Sequence, residues 1–492
     1  MESPCHQSGL PAEKQPTTDA VRHLKTADCI HNLQRHAVLL SVFARPRPVH
    51  WWNQFPAPLQ EVAFIRLLAS FGAGGVIYLT PIVFHQASFT AVQVSQGLAA
   101  SALIGTVARL LSGVLLDRGL TCSWPVRAAA LLALMADLVL FQATGFNGYL
   151  VGQLLIGLAA GLYFPAIELA VPLSCSGFNS SRGYALARSA DALGVATGAL
   201  LGAVLSSMEM IRMVYAVEAA AVLSMLVVLL LTPLPDGRAA LLHASAATTN
   251  NHKLKAESAP NGDTKTEAKA NSEADWRWLL PLIPVLVVSV IATGIVSLMQ
   301  SALPLDMVRG GLARAPLSET SSGGLIAWQL LLLMVLQWPI GNWVAKRSLR
   351  FGLGMGLLGF ITGCLLLAGS ALWSGGSSLI ALAMVPIAFG EAAFLPTAAE
   401  AMVEETPLQH RGLAMALFSQ CFAISAIAAP LLAGVLLDHQ GHGLVLWLLM
   451  AGTCLAVVPL LKAVRPRYKP NLSASPIEEP LDATNPRTAA LH

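Results

Sequence analysis

The chain has 492 residues, of which 55 % belong to the hydrophobic set AVILMFWYC and only 12 % are charged. A soluble chain carries about 25 % charged residues, so this composition excludes an ordinary soluble enzyme and a disordered protein. The formal net charge of +3 is too small to indicate a nucleic-acid partner.

Apolar stretches divide the chain into five parts. A stretch of about 20 apolar residues can cross the roughly 30 Å hydrocarbon core of a bilayer, and twelve such stretches follow a tail at residues 1–58. Residues 233–277 are rich in small polar and charged residues and predict a flexible linker. The sequence therefore predicts an all-α polytopic membrane protein with two six-helix bundles, at 59–232 and 278–464, and a second tail at 465–492.

The basic residues of the short loops predict the orientation. One set of loops holds the larger group: Arg118, Arg127, Arg182, Lys346, Arg347, Arg350 and Arg411. The opposite set holds only Arg212, Arg309 and Arg314. Because basic loops stay in the cytoplasm, we expect both termini and residues 236–275 to be cytoplasmic, in the cell inner (plasma) membrane. Tryptophans at span ends, such as Trp51 and Trp52, are expected in the membrane interface.

The two predicted bundles repeat each other at an offset of roughly 230 residues. Three short matches lie at corresponding positions, namely Ser181-Arg182-Gly183 with His410-Arg411-Gly412, Phe164-Pro165 with Leu395-Pro396, and Gly113 to Arg118 with Gly341 to Lys346. Two similar bundles related by an axis along the membrane normal are a repeat architecture of secondary transporters.

Three segments carry a family resemblance. The second span ends in Gly113-Val-Leu-Leu-Asp117-Arg118-Gly119, which resembles the loop motif of the major facilitator superfamily. The Gly-rich run from Gly157 to Pro165 is similar to the fourth span of that family. The run from Arg182 to Gly202 resembles the fifth-span pattern of its drug:proton antiporters. The resemblance covers about residues 59–464.

The resemblance implies both a mechanism and a latch. The mechanism is rocker-switch alternating access, in which two rigid bundles expose a midplane site to each side in turn. The latch consists of Gly113, Asp117, Arg118 and Gly119, with the carboxylate bound to the N-terminus of a facing helix, where free N–H groups favour negative charge. Two positions depart from the family pattern: Gln153 replaces the arginine typical of proton antiporters, and Ala345 replaces the acid of the second-half loop.

Charged residues inside the spans are the next candidates, because each costs about 2.5–3.5 kcal/mol at the centre of a helix. Arg66, Arg109 and Glu168 fall at similar depths in the first, second and fourth spans. We expect them to form an intramembrane ion pair between neighbouring helices, and this pair could break during alternation.

Three acids are candidates for proton coupling: Glu391, Asp137 and Asp191. Asp191 has Arg188 one turn away on its own helix, which favours a structural role. Glu391 ranks first because its span holds no cation and Pro396 follows five residues later. Gly157, Gly161, Pro165 and Pro396 are expected to serve helix packing or kinks.

The function that these features favour is secondary active transport of a small organic solute, with proton-coupled export as the first expectation. An uptake symporter or a uniporter of a small metabolite is the alternative within transport, and a transport-inactive scaffold or sensor is the alternative outside it. The sequence contains no P-loop and no catalytic constellation, and its seven cysteines lack metal-ligand spacing. We therefore expect a monomeric carrier rather than an enzyme, with lipid, solute and protons as partners and with no cofactor, metal or nucleic acid.

The predicted orientation is testable with Ser258→Cys in a cysteine-free variant. An impermeant maleimide added to intact cells should leave this cysteine unlabelled and should label it after permeabilisation, because residues 236–275 are expected inside. Labelling of intact cells would reverse the assigned topology.

Overall fold

The computed structural model describes residues 51–86, 89, 91–175, 177–235 and 276–464. Residues 1–50, most of the linker and residues 465–492 lie outside the described residues, and so do the predictions made for them. Within the described ranges the secondary structure is helical, with twelve helices long and apolar enough to cross a membrane. The expected all-α fold with twelve spans is confirmed.

In the described part of the chain, twelve α-helices form two halves. The first half contains α1 (Ala57–Gln86), α2 (Ala91–Asp117), α3 (Ser123–Gln142), α4 (Phe146–Leu173), α5 (Ser180–Ser207) and α6 (Met213–Leu231). The second half contains α7 (Ile283–Arg309), α8 (Glu319–Val344), α9 (Leu349–Ser370), α10 (Gly376–Glu405), α11 (Arg411–Gln440) and α12 (Leu444–Val457). Short 3-10 turns at Trp276–Leu282, Leu408–His410 and Val458–Ala463 flank α7, α11 and α12.

Local sequence signals set the helix ends. Ser318 and Ser348 cap α8 and α9 by accepting hydrogen bonds from N–H groups three residues on, both at 3.2 Å. Such caps satisfy donors that have no partner inside the helix. Gly310 and Gly441 follow α7 and α11 with positive φ, a conformation that glycine adopts without strain.

Packing repeats between the halves. α1 packs on α5 and α2 on α4, as α7 packs on α11 and α8 on α10. Between the halves, α2 packs on α11 and α5 packs on α8. Large apolar side chains such as Leu103, Leu200 and Leu231 remain more than half exposed on the outer surface. A surface of this kind is stable against lipid, not against water.

A buried ion pair closes one end of the second half. Arg314 binds Asp306 at 3.1 Å, and both side chains are almost completely buried. The Asp306 carboxylate also accepts hydrogen bonds from the Gly443 N–H at 2.8 Å and from Trp447 Nε1 at 3.0 Å. Arg314 donates to Ser370 Oγ at 2.6 Å, so the pair joins the ends of α7, α9 and α12.

Glycines allow α4 to approach α2 closely. A Cβ atom on Gly157 would overlap the Ser101 carbonyl oxygen and lie 2.7 Å from Ile104 Cγ2. A Cβ atom on Gly161 would lie 2.6 Å from the Gly105 carbonyl oxygen. The packing role of these glycines stays a prediction, tested below. Pro165 and Pro396 both lie inside continuous helices, α4 and α10.

Gly157→Val should lower the unfolding temperature in detergent, measured by tryptophan fluorescence, because overpacking costs about 1–3 kcal/mol. Gly434→Val is the matched control, since a Cβ atom at Gly434 has no neighbour within 4 Å. Equal shifts for the two variants would contradict the packing role of Gly157.

Candidate functional site

A cavity of about 540 Å³ lies between the two halves. Most of its lining is apolar, from helices α1 to α7 and α11. In the described part of the chain, all charged lining residues come from the first half: Arg109, Asp137, Glu168, Arg188, Asp191 and Glu218. The second half contributes uncharged polar groups: Thr293, Ser297, Gln300 and Ser419. The cavity is therefore polarised, with its charge on one side.

A network of four charged side chains lies on the charged side of the cavity, between α1, α4 and α5. Arg66 Nη2 lies 3.1 Å from Glu168 Oε1 and also binds Asp191. Arg188 lies 2.8 Å from the same Glu168 oxygen and 3.7 Å from Asp191. Ser70 Oγ donates to Asp191 at 3.0 Å. Two cations thus balance two carboxylates across α1, α4 and α5, which is what a buried charge requires.

The structure brings Arg66 and Glu168 together as expected, but it places Arg109 elsewhere. Arg109 Nε donates to Ser419 Oγ of α11 at 3.0 Å, and its Nη1 is buried without a hydrogen-bond partner. A Cβ atom on Gly105 would lie 3.1 Å from this Nη1. Because Gly105 has no side chain one turn earlier, the Arg109 guanidinium has room to lie along α2. The guanidinium therefore reaches the second half instead of Glu168.

The three acids proposed for proton coupling lie in different surroundings. Asp191 belongs to the charge network, whereas Asp137 lines the cavity away from it. Glu391 is buried in α10 and does not line the cavity. It interacts electrostatically with Arg188 of the opposite half. Among the described residues it has no ion pair within 4 Å.

Sequence reasoning missed Glu218, which faces Asp137. The two carboxyl groups interact electrostatically and are close enough to share a hydrogen bond. Both Asp137 oxygens and Glu218 Oε2 are otherwise buried without a partner. Glu218 stands alone as an acid in the apolar run Met213–Leu231, so the same search for charges within spans could have found it.

Asp117 joins the halves at one end of the bundle, called here the Asp117 end. Its Oδ1 accepts a hydrogen bond from the Gly412 N–H at 2.7 Å, and its Oδ2 accepts one from the Leu413 N–H at 3.0 Å. These donors lie in the first turn of α11, where the helix dipole adds to the attraction. A Cβ atom on Gly113 would lie 2.7 Å from Ala416 Cβ, so glycine is needed for this approach. Arg118 is exposed beside it, and Gly119 has a φ of 92°.

The second-half counterpart of this contact uses different chemistry. Ala345 occupies the position of the acid, and Arg182 of α5 instead donates to Asn342 Oδ1 of α8 at 2.9 Å. The same guanidinium donates to Gln54 Oε1 at 3.2 Å. Ser180 Oγ donates to Glu400 Oε1 of α10 at 2.8 Å. Hydrogen bonds between side chains, each with one charged partner, thus replace the charge–dipole contact on this side of the interface.

An aromatic cluster of Trp51, Phe55, Phe178 and Trp338 reinforces the Asp117 end. Trp338 of α8 lies 5.0 Å from Trp51 and 5.3 Å from Phe55, both in edge-to-face geometry. Phe55 also contacts Phe178 at 5.6 Å. The Trp51 ring packs between the halves, and its position at the membrane interface stays a prediction. Such pairs add about 0.5–1.5 kcal/mol each beyond their buried area.

Asp117→Asn should raise the population in which the Asp117 end is open. Asparagine keeps one acceptor but loses the charge, and a charge–dipole contact of about 0.3–2 kcal/mol shifts the equilibrium between about twofold and thirtyfold. Distances between spin labels on α2 and α11 at this end would measure the shift. Asp438→Asn is the control, since Asp438 pairs with Arg309 inside the second half. An unchanged distance distribution in Asp117→Asn would refute the latch.

A known protein family matches most of this chain. The family model described as Major Facilitator Superfamily matches residues 62–313 and 285–489. A search of the curated proteins gave no match.

Solved structures share the fold at low sequence identity. The E. coli fucose:proton symporter FucP, as a variant, has a TM-score of 0.64 at 15 % identity, over 83 % of this chain and 98 % of that chain. FucP in the outward conformation has a TM-score of 0.61 at 16 % identity, over 83 % of this chain and 99 % of that chain. A POT family transporter in complex with 5-aminolevulinic acid has a TM-score of 0.61 at 12 % identity, over 83 % and 97 %. With the family model matching more than half of its residues, the chain belongs to the Major Facilitator Superfamily.

Proposed function

We propose that this multi-pass membrane protein exports a small organic solute in exchange for protons, by rocker-switch alternating access. The observation that carries the proposal is the position of the contacts between the halves. Hydrogen bonds and aromatic contacts join them from the Asp117 end to mid-depth, beside a cavity that both halves line. With the Asp117 end in the cytoplasm, as the loop charges predict, this conformation faces outward.

Alternation requires these contacts to break together. Asp117, Arg182 and Ser180 each bind a group of the second half, and each loses its partner when the halves separate at this end. The network of Arg66, Glu168, Arg188 and Asp191 lies within the first half and can move with it as a unit. Moving rigid bundles around a central site is the mechanism of transporters built from such repeats.

Export is supported by the fifth-span pattern. Gly194 and Gly198 of α5 press against α1, where a Cβ atom on Gly194 would lie 2.7 Å from the Leu67 carbonyl oxygen and one on Gly198 would overlap that of Phe71. The pattern Arg182 to Gly202 resembles the fifth span of drug:proton antiporters. The glycines that carry this resemblance, Gly194 and Gly198, are therefore also the ones at which α5 packs closely on α1.

Glu391 is the proposed proton carrier, and Arg188 supplies the coupling. The attraction between them acts across the interface of α5 and α10, which pack together in the closed conformation. A proton arriving from outside removes the negative charge and with it part of the force that holds the halves together. Loss of that proton to the cytoplasm restores the attraction and favours closure with the solute bound.

Proteoliposomes with a pH dye in the lumen test the proposed exchange against a chemically mixed panel of solutes. A transported solute added outside should make the lumen more alkaline, because protons leave as solute enters. An acidified lumen would instead indicate a symporter, solute entry without a pH change a uniporter, and no entry of any solute a scaffold.

Glu391→Gln should abolish solute-driven proton movement while solute exchange at equal pH continues, because the amide keeps the shape but carries no titrating proton. The readouts are lumenal pH and exchange of labelled solute. Glu209→Gln, at an exposed position, is the control. Full solute-driven proton movement in Glu391→Gln would pass the role to Asp137.

A further inference from the structure

We propose that residues 51–55, called here the strap, hold the α5–α8 side of the interface shut when the Asp117 end is closed. The strap precedes the first of the twelve candidate spans, yet it contacts both halves of the molecule. This role rests on the proposed function only in requiring that the halves separate at this end.

Hydrogen bonds fix the strap to the first half. The Gln54 N–H donates to the Trp51 carbonyl oxygen at 3.4 Å and closes a turn. Gln60 Nε2 of α1 donates to the carbonyl oxygens of Trp52 at 3.1 Å and Phe55 at 2.9 Å. Because these bonds satisfy backbone groups of the strap from α1 itself, the strap moves with α1.

The rings of the strap meet the second half at one side chain, Trp338 of α8. The Trp338 ring lies 5.0 Å from that of Trp51 at an angle of 85° and 5.3 Å from that of Phe55 at 80°. Trp51 and Phe55 also contact each other at 5.2 Å, so the three rings form one edge-to-face group. When α8 moves away with the second half, Trp338 must leave both rings of the strap at once.

These two contacts differ from the other ring pairs of the described residues. Every other pair there lies within one half, as Trp343 does with Phe351. Trp278 is the matching case, because it precedes α7 as the strap precedes α1. Its ring stacks at 4.7 Å on His410 of its own half. In the part of the chain that the structure describes, ring contact between the halves is thus specific to the strap.

The two sides of the interface close by different chemistry, and this explains why a strap is useful. On the α2–α11 side, the first turn of α11 has no side-chain cap of its own, and its N–H groups bind Asp117. On the α5–α8 side, Asn179 caps α5 by accepting the Arg182 N–H at 3.4 Å. Ala345 at the end of α8 supplies no counterpart of the Asp117 carboxylate. The strap adds its rings here, and Gln54 Oε1 accepts a further hydrogen bond from Arg182 at 3.2 Å.

Distances between spin labels on α5 and α8 at the Asp117 end, in the full-length protein, test the strap. Trp51→Ala and Trp338→Ala should each raise the ratio of open to closed molecules by about twofold to tenfold, because each removes edge-to-face contacts between the halves. The double variant should open little more than Trp338→Ala alone, because the two rings are each other's partners. Trp343→Ala is the matched control, since this tryptophan of α8 contacts Phe351 and Phe389 of its own half. Its ratio should stay that of the unaltered protein.

The outcomes separate the strap from the proposed function. Unchanged ratios in Trp51→Ala and Trp338→Ala, in a protein that Asp117→Asn does open, would overturn the strap alone. An equal rise in Trp343→Ala, or fully additive effects in the double variant, would also overturn it, because general loosening would then explain the opening. Should Trp338→Ala fail to fold, Trp51→Ala decides, since Trp51 lies before the first span. Strap variants that open this end, in a protein whose liposomes move no solute, would support the strap and refute the transport proposal.

Discussion

The cost of placing a charge inside the membrane governs this structure. Each charge at the centre of a span costs about 2.5–3.5 kcal/mol unless a partner or water compensates it. Arg66, Glu168, Arg188 and Asp191 meet that requirement by pairing within the first half. Arg109 and the Asp137–Glu218 pair do not meet it internally, and both line the cavity. Among these residues of the first half, the charges thus fall into a balanced set that joins α1, α4 and α5 and an unbalanced set that lines the cavity.

The two halves repeat in topology but differ in chemistry. At the Asp117 end, a carboxylate binds helix N–H groups on one side of the interface, whereas Arg182 and Asn342 form a hydrogen bond on the other. In the described lining of the cavity the second half places only uncharged groups, and its buried ion pair of Asp306 and Arg314 lies near the opposite end. Within the described lining of the cavity, the first half therefore carries the charged groups, and the second half supplies a mostly apolar surface.

Sequence reasoning reached the features that depend on distance along the chain. The twelve spans follow from the lengths of apolar runs, and the pairing of Arg66 with Glu168 follows from equal depth in neighbouring helices. It failed for contacts that depend on how a helix is rotated about its axis or on residues far apart along the chain. The path of Arg109 toward Ser419 depends on the space above Gly105, and the contact of Trp51 with Trp338 depends on the other half. Arg314 was counted as a loop cation although it is 3 % exposed, because the loop folds back onto Asp306, and the spacing of 8 residues does not reveal that fold.

The position of Arg66 has a consequence for the order of assembly. Its partners Glu168 and Asp191 lie 102 and 125 residues further along the chain. Among the twelve candidate spans of the described residues, α1 comes first along the chain, and its mean hydropathy of 1.2 is the lowest. A lone arginine in so weakly apolar a helix makes independent insertion unfavourable. We therefore expect the first helix to gain stability in the bilayer when α4 and α5 supply the carboxylates that pair with Arg66.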